Sequence, residues 1–387
     1  MSTTTTSRPA ASTRVIMATS VAATISTVLP GFLVGAISVQ AIADFEISEA
    51  RYGWGLGSFF LGATAGSAVL GRSAQHLGPR RQVLTALVIT AATSVAIAAF
   101  ATTFSLFLGL LAVAGLSNSA NQSAVNLLLT QAKIERLGLA LSLKQSGMPA
   151  AAMLGGLMVP IVAVTFGWRV AYVISGLMAL VAAIAVAVLI ERPPPVERSD
   201  PAPLVTPHRN LTFASIGFGC LAAAAGSLNA WTVSSAVEAG IDPGSAGLLL
   251  SAGAGLGIVV RVLLGVRLDS LRQNPLLIAA GLSSIGALGL VISAIGSSTA
   301  VVIGTLVAFG AGWVWPVLTN YAIVRTNRAA AATATGITQT GVYVGVFGGP
   351  LVTGVLIETV GYSVMWLSVA AVMLVGVGVV SRTMLQP

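Results

Sequence analysis

A succession of apolar runs, each about twenty residues long and separated by short polar connections, constrains this chain more than any other feature. A helix needs roughly 20 apolar residues to cross the hydrocarbon core of a bilayer. Read with that window, the sequence predicts an all-α integral membrane protein with twelve transmembrane helices. The predicted spans are 15–42, 52–71, 82–102, 104–128, 138–164, 168–190, 211–237, 244–266, 275–296, 299–324, 333–357 and 362–381.

The low content of charged residues excludes an ordinary soluble protein. Only 8% of the 387 residues are charged and the mean hydropathy is +0.94, whereas a soluble domain carries about a quarter charged residues. The apolar surface must therefore face lipid. The net charge of +8 does not indicate nucleic-acid binding, because the basic residues form no dense patch. We expect the lipid bilayer as a partner and no nucleic acid.

A segment rich in proline and charge, 191–210, separates the first six predicted spans from the last six. Such a composition is typical of an extended, solvated linker. The sequence therefore predicts five regions: an N-terminal tail over 1–14, a six-helix bundle over 15–190, the linker over 191–210, a second six-helix bundle over 211–382 and a C-terminal tail over 383–387.

The basic residues predict the orientation, because loops on the cytoplasmic side of a membrane carry an excess of Lys and Arg. With both termini and the linker cytoplasmic, only Arg51 and Arg169 fall on the opposite side. We therefore expect a multi-pass plasma-membrane protein. The basic residues then on the cytoplasmic side are Arg8, Arg14, Arg72, Arg80, Arg81, Lys133, Arg136, Arg192, Arg198, Arg209, Arg267, Arg272, Arg325, Arg328 and Arg382.

The two halves repeat each other at a constant offset of 194 residues. Gln145 returns as Gln339 and Gly167 returns as Gly361, while Asn126 returns as Asn320. Six spans per half is an even number, so both halves insert in the same direction and are related by an axis along the membrane normal. Two such bundles that rock about a shared central site provide alternating access, so the duplication favours a secondary transporter.

Two basic residues, Lys144 and Arg261, fall inside predicted spans, one in each half. A charge in the hydrocarbon region is costly, so each is a candidate substrate-binding residue. Two cations that converge on a central cavity would suit a small anion, although either long side chain can instead reach the interface. No Asp, Glu or His falls deep in a span, which argues against proton-driven export of cationic drugs.

At this point the chain resembles the major facilitator superfamily, whose best-known motif follows span two. The matching stretch here runs from Gly71 to Arg81, with Gln75 where the family has an acid. The second half keeps the acid in the stretch from Gly265 to Asp269. The resemblance implies a gate on the cytoplasmic side, and its candidate residues are Gly71, Gly78, Arg81, Gly265 and Asp269.

The same resemblance extends to the interior residues. Arg261 is similar in position to the anion-binding arginine of oxalate, nitrate and monocarboxylate carriers. In character the chain resembles small-anion carriers of the monocarboxylate, oxalate and cyanate type. Oxalate carriers place a lysine in span eleven, where this chain has Thr338 and carries the lysine at the symmetry-related Lys144. In this superfamily spans one, four, seven and ten line the central path. The candidate substrate-binding side chains, which either contact substrate or hold helices together, are Lys144, Arg261, Asn118, Asn121, Gln122, Asn229, Trp231, Trp313, Trp315, Gln339 and Tyr343.

The sequence thus predicts a monomeric carrier that moves a small, carboxylate-like anion across the plasma membrane. We expect no enzyme, because no catalytic constellation or nucleotide motif is present, and no cofactor or metal, because no Cys/His cluster is present. An exporter of neutral or hydrophobic drug-like compounds is the first alternative, and it would make both cations structural. A membrane sensor is the second, and it would normally require a soluble signalling domain.

Overall fold

The computed structural model describes residues 13–70, 77–131, 137–190, 205–270 and 273–383. Within these ranges all regular structure is helical and no strand occurs. The prediction of an all-α protein is therefore confirmed.

The first half of the chain forms ten α-helices and one π-helical turn within the described ranges. Short breaks, rather than long loops, separate several of them. In chain order the elements are α1 (Thr13–Ala36), α2 (Ser38–Phe45), α3 (Glu49–Tyr52), α4 (Trp54–Leu70), α5 (Pro79–Phe100), α6 (Phe104–Gln131), α7 (Leu137–Gln145), α8 (Gly147–Met158), the π turn Val159–Ala163, α9 (Val164–Phe166) and α10 (Trp168–Leu189).

Side-chain N-caps are more frequent in the second half of the chain than in the first. The side chains of Asp242, Asn274 and Ser297 each accept a hydrogen bond from a backbone amide of the helix that follows. The elements are α11 (His208–Glu238), α12 (Pro243–Arg267), the 3-10 turn Leu268–Ser270, α13 (Pro275–Ser293), α14 (Ser298–Val307), the π turn Ala308–Gly312, α15 (Trp315–Thr326), the 3-10 turn Arg328–Ala330 and α16 (Ala331–Thr383).

Ten helical segments of the described ranges are long and apolar enough to cross a membrane. The predicted span 52–71 corresponds to α4, which has 17 residues, is shorter than each of these ten segments and is not one of them. The last two predicted spans both lie in α16, which is interrupted at Gly361 (φ 81°, ψ 173°). The protein is therefore a multi-pass membrane protein.

Three spans that the sequence predicts as continuous are broken. The run 15–42 turns at Ile37, the run 138–164 at Ser146 and the run 299–324 at Trp313 and Val314. Pro149 and Pro316 follow the second and third breaks closely. Because proline lacks an N–H, it leaves the carbonyl four residues earlier without its helical partner.

The backbone repeats its local geometry at the 194-residue offset. Gly167 and Gly361 both have positive φ angles, of 86° and 81°, and each begins the last long helix of its half. The amide of Ile47 bonds to the carbonyl of Ile42, and that of Ile241 to the carbonyl of Ala236, at the same offset. These equivalent turns indicate that both halves follow one folding pattern.

One helix contact also repeats between the halves, with the glycine and the phenylalanine in exchanged positions. A Cβ added to Gly115 of α6 would lie 1.7 Å from the carbonyl oxygen of Phe59 in α4. In the second half Gly253 stands at the position of Phe59 and Phe309 at that of Gly115, and a Cβ on Gly253 would lie 2.9 Å from the Phe309 ring. A small residue on one side thus permits each close helix contact, as is common within membranes.

The two halves meet tightly at one end, which we call the acidic end. A Cβ on Gly35 of α1 would lie 2.0 Å from the carbonyl oxygen of Asn229 in α11, and the hydroxyls of Ser38 and Ser234 lie 2.7 Å apart. The halves are therefore closed against each other at this end. It is defined by the acids near the helix ends there, which are Asp44, Glu46, Glu49, Glu238, Asp242 and Glu358.

Candidate substrate site

A cavity lies between the two halves and is lined by both. Its volume, measured for the centres of water-sized spheres, is about 50 Å³. Aromatic and aliphatic side chains dominate the wall, with a few amides and hydroxyls among them. The lining residues are Phe32, Leu56, Phe60, Gln145 and Met148 from the first half, and Phe218, Ala222, Ala225, Gly226, Asn229, Trp313, Trp315, Pro316, Thr319, Asn320, Thr338, Gln339, Val342, Tyr343 and Val346 from the second.

The break between α14 and α15 brings two tryptophans to this wall. After the π turn, Trp313 leaves helical geometry (φ −102°, ψ 15°). The amide of Val317 then bonds to the carbonyl of Val314 at 3.3 Å rather than to that of Trp313. The carbonyl of Trp313 therefore remains available to a side chain. Local π-helical turns of this kind are frequent at functional sites.

The break between α7 and α8 has a similar consequence in the first half. Pro149 stands four residues after Gln145, and without an N–H it cannot donate to the Gln145 carbonyl. A second backbone acceptor is thus left without its helical donor, close to the same cavity.

Arg261 of α12 uses both carbonyls. Its Nη1 donates to the Gln145 oxygen at 2.8 Å, and its Nη2 donates to the Trp313 oxygen. The guanidinium also lies 5.0 Å from the centroid of the Trp313 ring, and the hydroxyl of Ser142 donates to the Arg261 carbonyl at 2.6 Å. Arg261 is only 1% exposed. It therefore joins α12 of the second half to α7 of the first, directly behind the cavity wall.

The charge of Arg261 has no acidic partner among the described residues. Among the described residues the one ion pair joins Arg169 to Asp44, at the acidic end. The two acceptors of the Arg261 guanidinium are neutral carbonyls, and its Nε has no hydrogen-bond partner within the described part of the chain. A buried cation without a counter-charge favours the binding of an anion nearby.

Lys144 lies at the end of α7, next to Gln145, and is partly buried. Its Nζ donates to Oδ1 of Asn126 in α6. Neither Lys144 nor Arg261 is among the residues that line the cavity, although each adjoins a residue that does. The two cations therefore flank the cavity instead of projecting into it.

The comparison with protein families decides which class of protein this is. The sequence profile described as "Major Facilitator Superfamily" matches residues 15–350. The chain belongs to the Major Facilitator Superfamily. No curated individual protein matches it significantly. The protein is therefore a membrane transporter of the major facilitator type, and this is a family of transporters and not of enzymes.

In this superfamily member the predicted polar residues divide into two groups. Asn229, Trp313, Trp315, Gln339 and Tyr343 line the cavity. They are thus placed where a substrate would contact them.

The other predicted polar residues lie away from the cavity wall. Asn118 and Asn121 of α6 both bond to the hydroxyl of Thr27 in α1, and both are buried. The indole of Trp231 donates to Thr353 at 2.9 Å. Gln122 is partly buried and does not line the cavity. Helix-to-helix contacts involve Asn118, Asn121 and Trp231, although Nδ2 of Asn118 and Oδ1 of Asn121 have no hydrogen-bond partner within the described residues.

Several wall residues carry no signal by which the sequence could identify them. Phe32, Phe60 and Phe218 are ordinary apolar residues of their helices, and only the helix orientation turns them towards the cavity. Phe32 stacks on Trp313 with a centroid distance of 5.8 Å. For Gln145 the proline four residues later was a usable signal, because it marks a freed carbonyl.

The gate residues are only partly described. Gly71 lies outside the described residues, as does the side chain of Asp269. Gly78 has a φ of 81° and immediately precedes α5, Arg81 is exposed at the start of α5, and Gly265 is buried in α12. The neighbouring Arg80, which is not among the predicted gate residues, donates to the carbonyls of Ile190 and Ala187 at 2.5 and 2.7 Å. These contacts stabilise the C-terminus of α10.

Proposed function

We propose that this transporter moves a small, carboxylate-like anion across the plasma membrane by secondary active transport and alternating access. The proposed arrangement is twelve spans in two parallel-repeat bundles, 15–190 and 211–382, with the tails and the 191–210 linker in the cytoplasm. The protein would work as a monomer, since one chain supplies both halves of the cavity.

The observation that carries the proposal is that, within the described part of the chain, the buried positive charge of Arg261 has no acidic partner. Burying a charge without a counter-charge is expensive, and neutral carbonyls repay only part of that cost. An anion in the cavity would offset the remainder. The planar guanidinium also matches a carboxylate better than a point charge does.

The position of Arg261 also links binding to movement. Its bond to Gln145 crosses from one half to the other. A carboxylate is a stronger acceptor for a guanidinium than a neutral carbonyl is, because it carries the opposite charge and can accept two parallel N–H bonds from the arginine. A substrate that takes over the guanidinium would therefore release a contact between the halves. Lys144, at the end of α7, supplies a second positive charge on the opposite half.

Counterflow in proteoliposomes tests the proposal. Vesicles preloaded with a panel of small anions are compared for the wild type, Arg261→Gln, Lys144→Gln and the control Arg209→Gln, which removes an exposed arginine at the start of α11. Loss of a charge-assisted bond reduces anion exchange by about tenfold or more. We expect that loss for Arg261→Gln and no loss for Arg209→Gln.

The alternative, export of neutral or hydrophobic compounds, is favoured by one observation. Most of the cavity wall is aromatic or aliphatic, and both hydrogen bonds of the Arg261 guanidinium go to the main chain. If the wild type exchanges no anion, or if well-folded Arg261→Gln exchanges anions normally, the anion proposal is wrong. Monodispersity and the unfolding temperature of each variant show whether it is folded.

A further inference from the structure

Two polar atoms in the cavity wall have no hydrogen-bond partner. Within the described residues, Oδ1 of Asn229 and Nε1 of Trp315 are both buried and unpaired. Asn229 is 4% exposed and Trp315 is 3% exposed, and both residues line the cavity. An unpaired buried polar group costs about 1–3 kcal/mol, so a ligand that pairs both atoms would be strongly preferred.

The free atom of Asn229 is an acceptor. Its Nδ2 donates to the carbonyl of Ala225 at 3.0 Å, which fixes the amide so that Oδ1 is the atom left over. An acceptor oxygen cannot be satisfied by a carboxylate, which only accepts hydrogen bonds. Asn229 therefore requires an O–H or N–H on the ligand.

The free atom of Trp315 is a donor and is held in place. An indole Nε1–H can only donate. The Trp315 ring stacks on Phe218, with centroids 5.9 Å apart and planes 29° apart. Trp315 therefore requires an acceptor oxygen on the ligand, in addition to the donor that Asn229 requires.

The size of the cavity limits the rest of the ligand. One water needs about 10–15 Å³ of this kind of volume, so about 50 Å³ holds only a few groups of that size. The wall that contains Trp315 and Asn229 also carries apolar residues such as Phe218 and Val346. The volume thus favours a ligand of two or three carbons.

Resting on the anion transport proposed above, we infer that the substrate is a short carboxylate that also carries its own hydrogen-bond donor, a hydroxyl or an amide. The carboxylate balances the charge of Arg261. The hydroxyl or amide donates to Oδ1 of Asn229, and an oxygen of the substrate accepts from Nε1 of Trp315. Anions without a donor are poor substrates, because they leave Asn229 unpaired.

Isosteric pairs of anions test the inference. Glycolate is compared with propionate, and oxamate with pyruvate, since each pair exchanges a donor group for a methyl group of similar size. Counterflow in proteoliposomes gives the ratio of kcat/KM within each pair. We expect the wild type to favour glycolate and oxamate by about tenfold or more.

Matched variants separate the roles of the two side chains. Asn229→Leu removes the acceptor and should bring both ratios close to one. Trp315→Phe removes the N–H but keeps a ring on Phe218. Because both members of each pair carry acceptor oxygens, Trp315→Phe should lower kcat/KM for both members. The control Trp366→Phe removes a buried indole N–H that bonds to Ser235 away from the cavity. It should leave the ratios unchanged.

The outcomes separate this inference from the proposed function. Equal transport of both members of each pair by the wild type overturns the inference and leaves anion transport standing. Unaltered ratios in folded Asn229→Leu overturn the assignment to Asn229, and an unaltered kcat/KM in folded Trp315→Phe overturns the assignment to Trp315. Absence of any anion exchange overturns both proposals. The wild-type ratios alone decide the substrate class should either variant fail to fold.

Discussion

Replacing Gly35 by alanine should force the acidic end of the transporter open. Gly35 lies in α1, and its backbone packs against α11 across the boundary between the halves. An added Cβ would stand 2.0 Å from the carbonyl oxygen of Asn229. The atoms that the added Cβ would meet are backbone atoms of Asn229 and Ala230, so no side chain can rotate away to make room.

The size of the effect follows from that distance. Close C···O contacts in proteins are about 3.3–3.6 Å, so α1 and α11 would have to separate by roughly 1.5 Å. Overpacking of this kind costs about 1–3 kcal/mol. The cost falls on the state in which the halves are closed at the acidic end. If the protein works by the proposed alternating access and the other state lacks this contact, the equilibrium should shift by about 5- to 150-fold.

Spin-label distances across the acidic end measure the shift. Cys220 is the single native cysteine, so labels can be placed at chosen sites after Cys220→Ala. Thr102 precedes α6 in the first half and Thr299 lies in α14 of the second, and both are exposed. We expect the distance distribution between them to move to longer values in Gly35→Ala.

Gly115→Ala is the matched comparison, because its Cβ would clash just as closely, at 1.7 Å from the Phe59 oxygen, but inside one half. It should lower the unfolding temperature without lengthening the label distance. If Gly35→Ala lowers stability and leaves the distances unchanged, the contact at Gly35 is fixed packing. The reasoning that makes it a moving interface would then be refuted.

Two further predictions concern stability. Gly115→Ala should destabilise the protein by about 1–3 kcal/mol through the clash between α4 and α6. Gly109→Ala on the same helix, where an added Cβ would have nothing within 4 Å, should instead stabilise the protein by about 0.5–1 kcal/mol. Thermal unfolding in detergent measures both changes, and equal effects of the two substitutions would contradict the packing. Hydrogen bonds from Ser245 lower the pKa of Asp242 below its usual value of 3.8, so this carboxylate stabilises the fold above that pH and the benefit is lost as the pH falls through the lowered pKa. Asp242→Ala should therefore reduce the unfolding temperature at pH 7 and progressively less below pH 3.8, and a difference that does not change with pH would rule out the charged cap.

The membrane class and most helix positions were predictable from the sequence, while helix breaks were less so. Hydropathy is a sum over consecutive residues, so it identifies α5, α6 and α10 without knowledge of their neighbours. The breaks at Ser146 and Trp313 follow from the backbone groups that Pro149 and Pro316 disturb. A hydropathy window averages across such points and therefore reads each run as one span.

The candidate site shows the limit of sequence reasoning most clearly. Asn118 and Asn229 are both amides in apolar helices, yet the first bonds to Thr27 and the second lines the cavity. Nothing within either helix separates them, because the rotation of a helix about its axis is set by packing against its neighbours.

By itself the sequence determined that this chain is helical and multi-pass, that its halves repeat, and that Arg261 carries a charge in an apolar helix. Those properties depend on residues close together along the chain. Only the tertiary structure decided that the Arg261 guanidinium reaches Gln145 and Trp313, and that Asn229 and Trp315 keep unpaired atoms at the cavity. Such contacts join residues far apart in sequence, and close packing of glycine-rich helices fixes them.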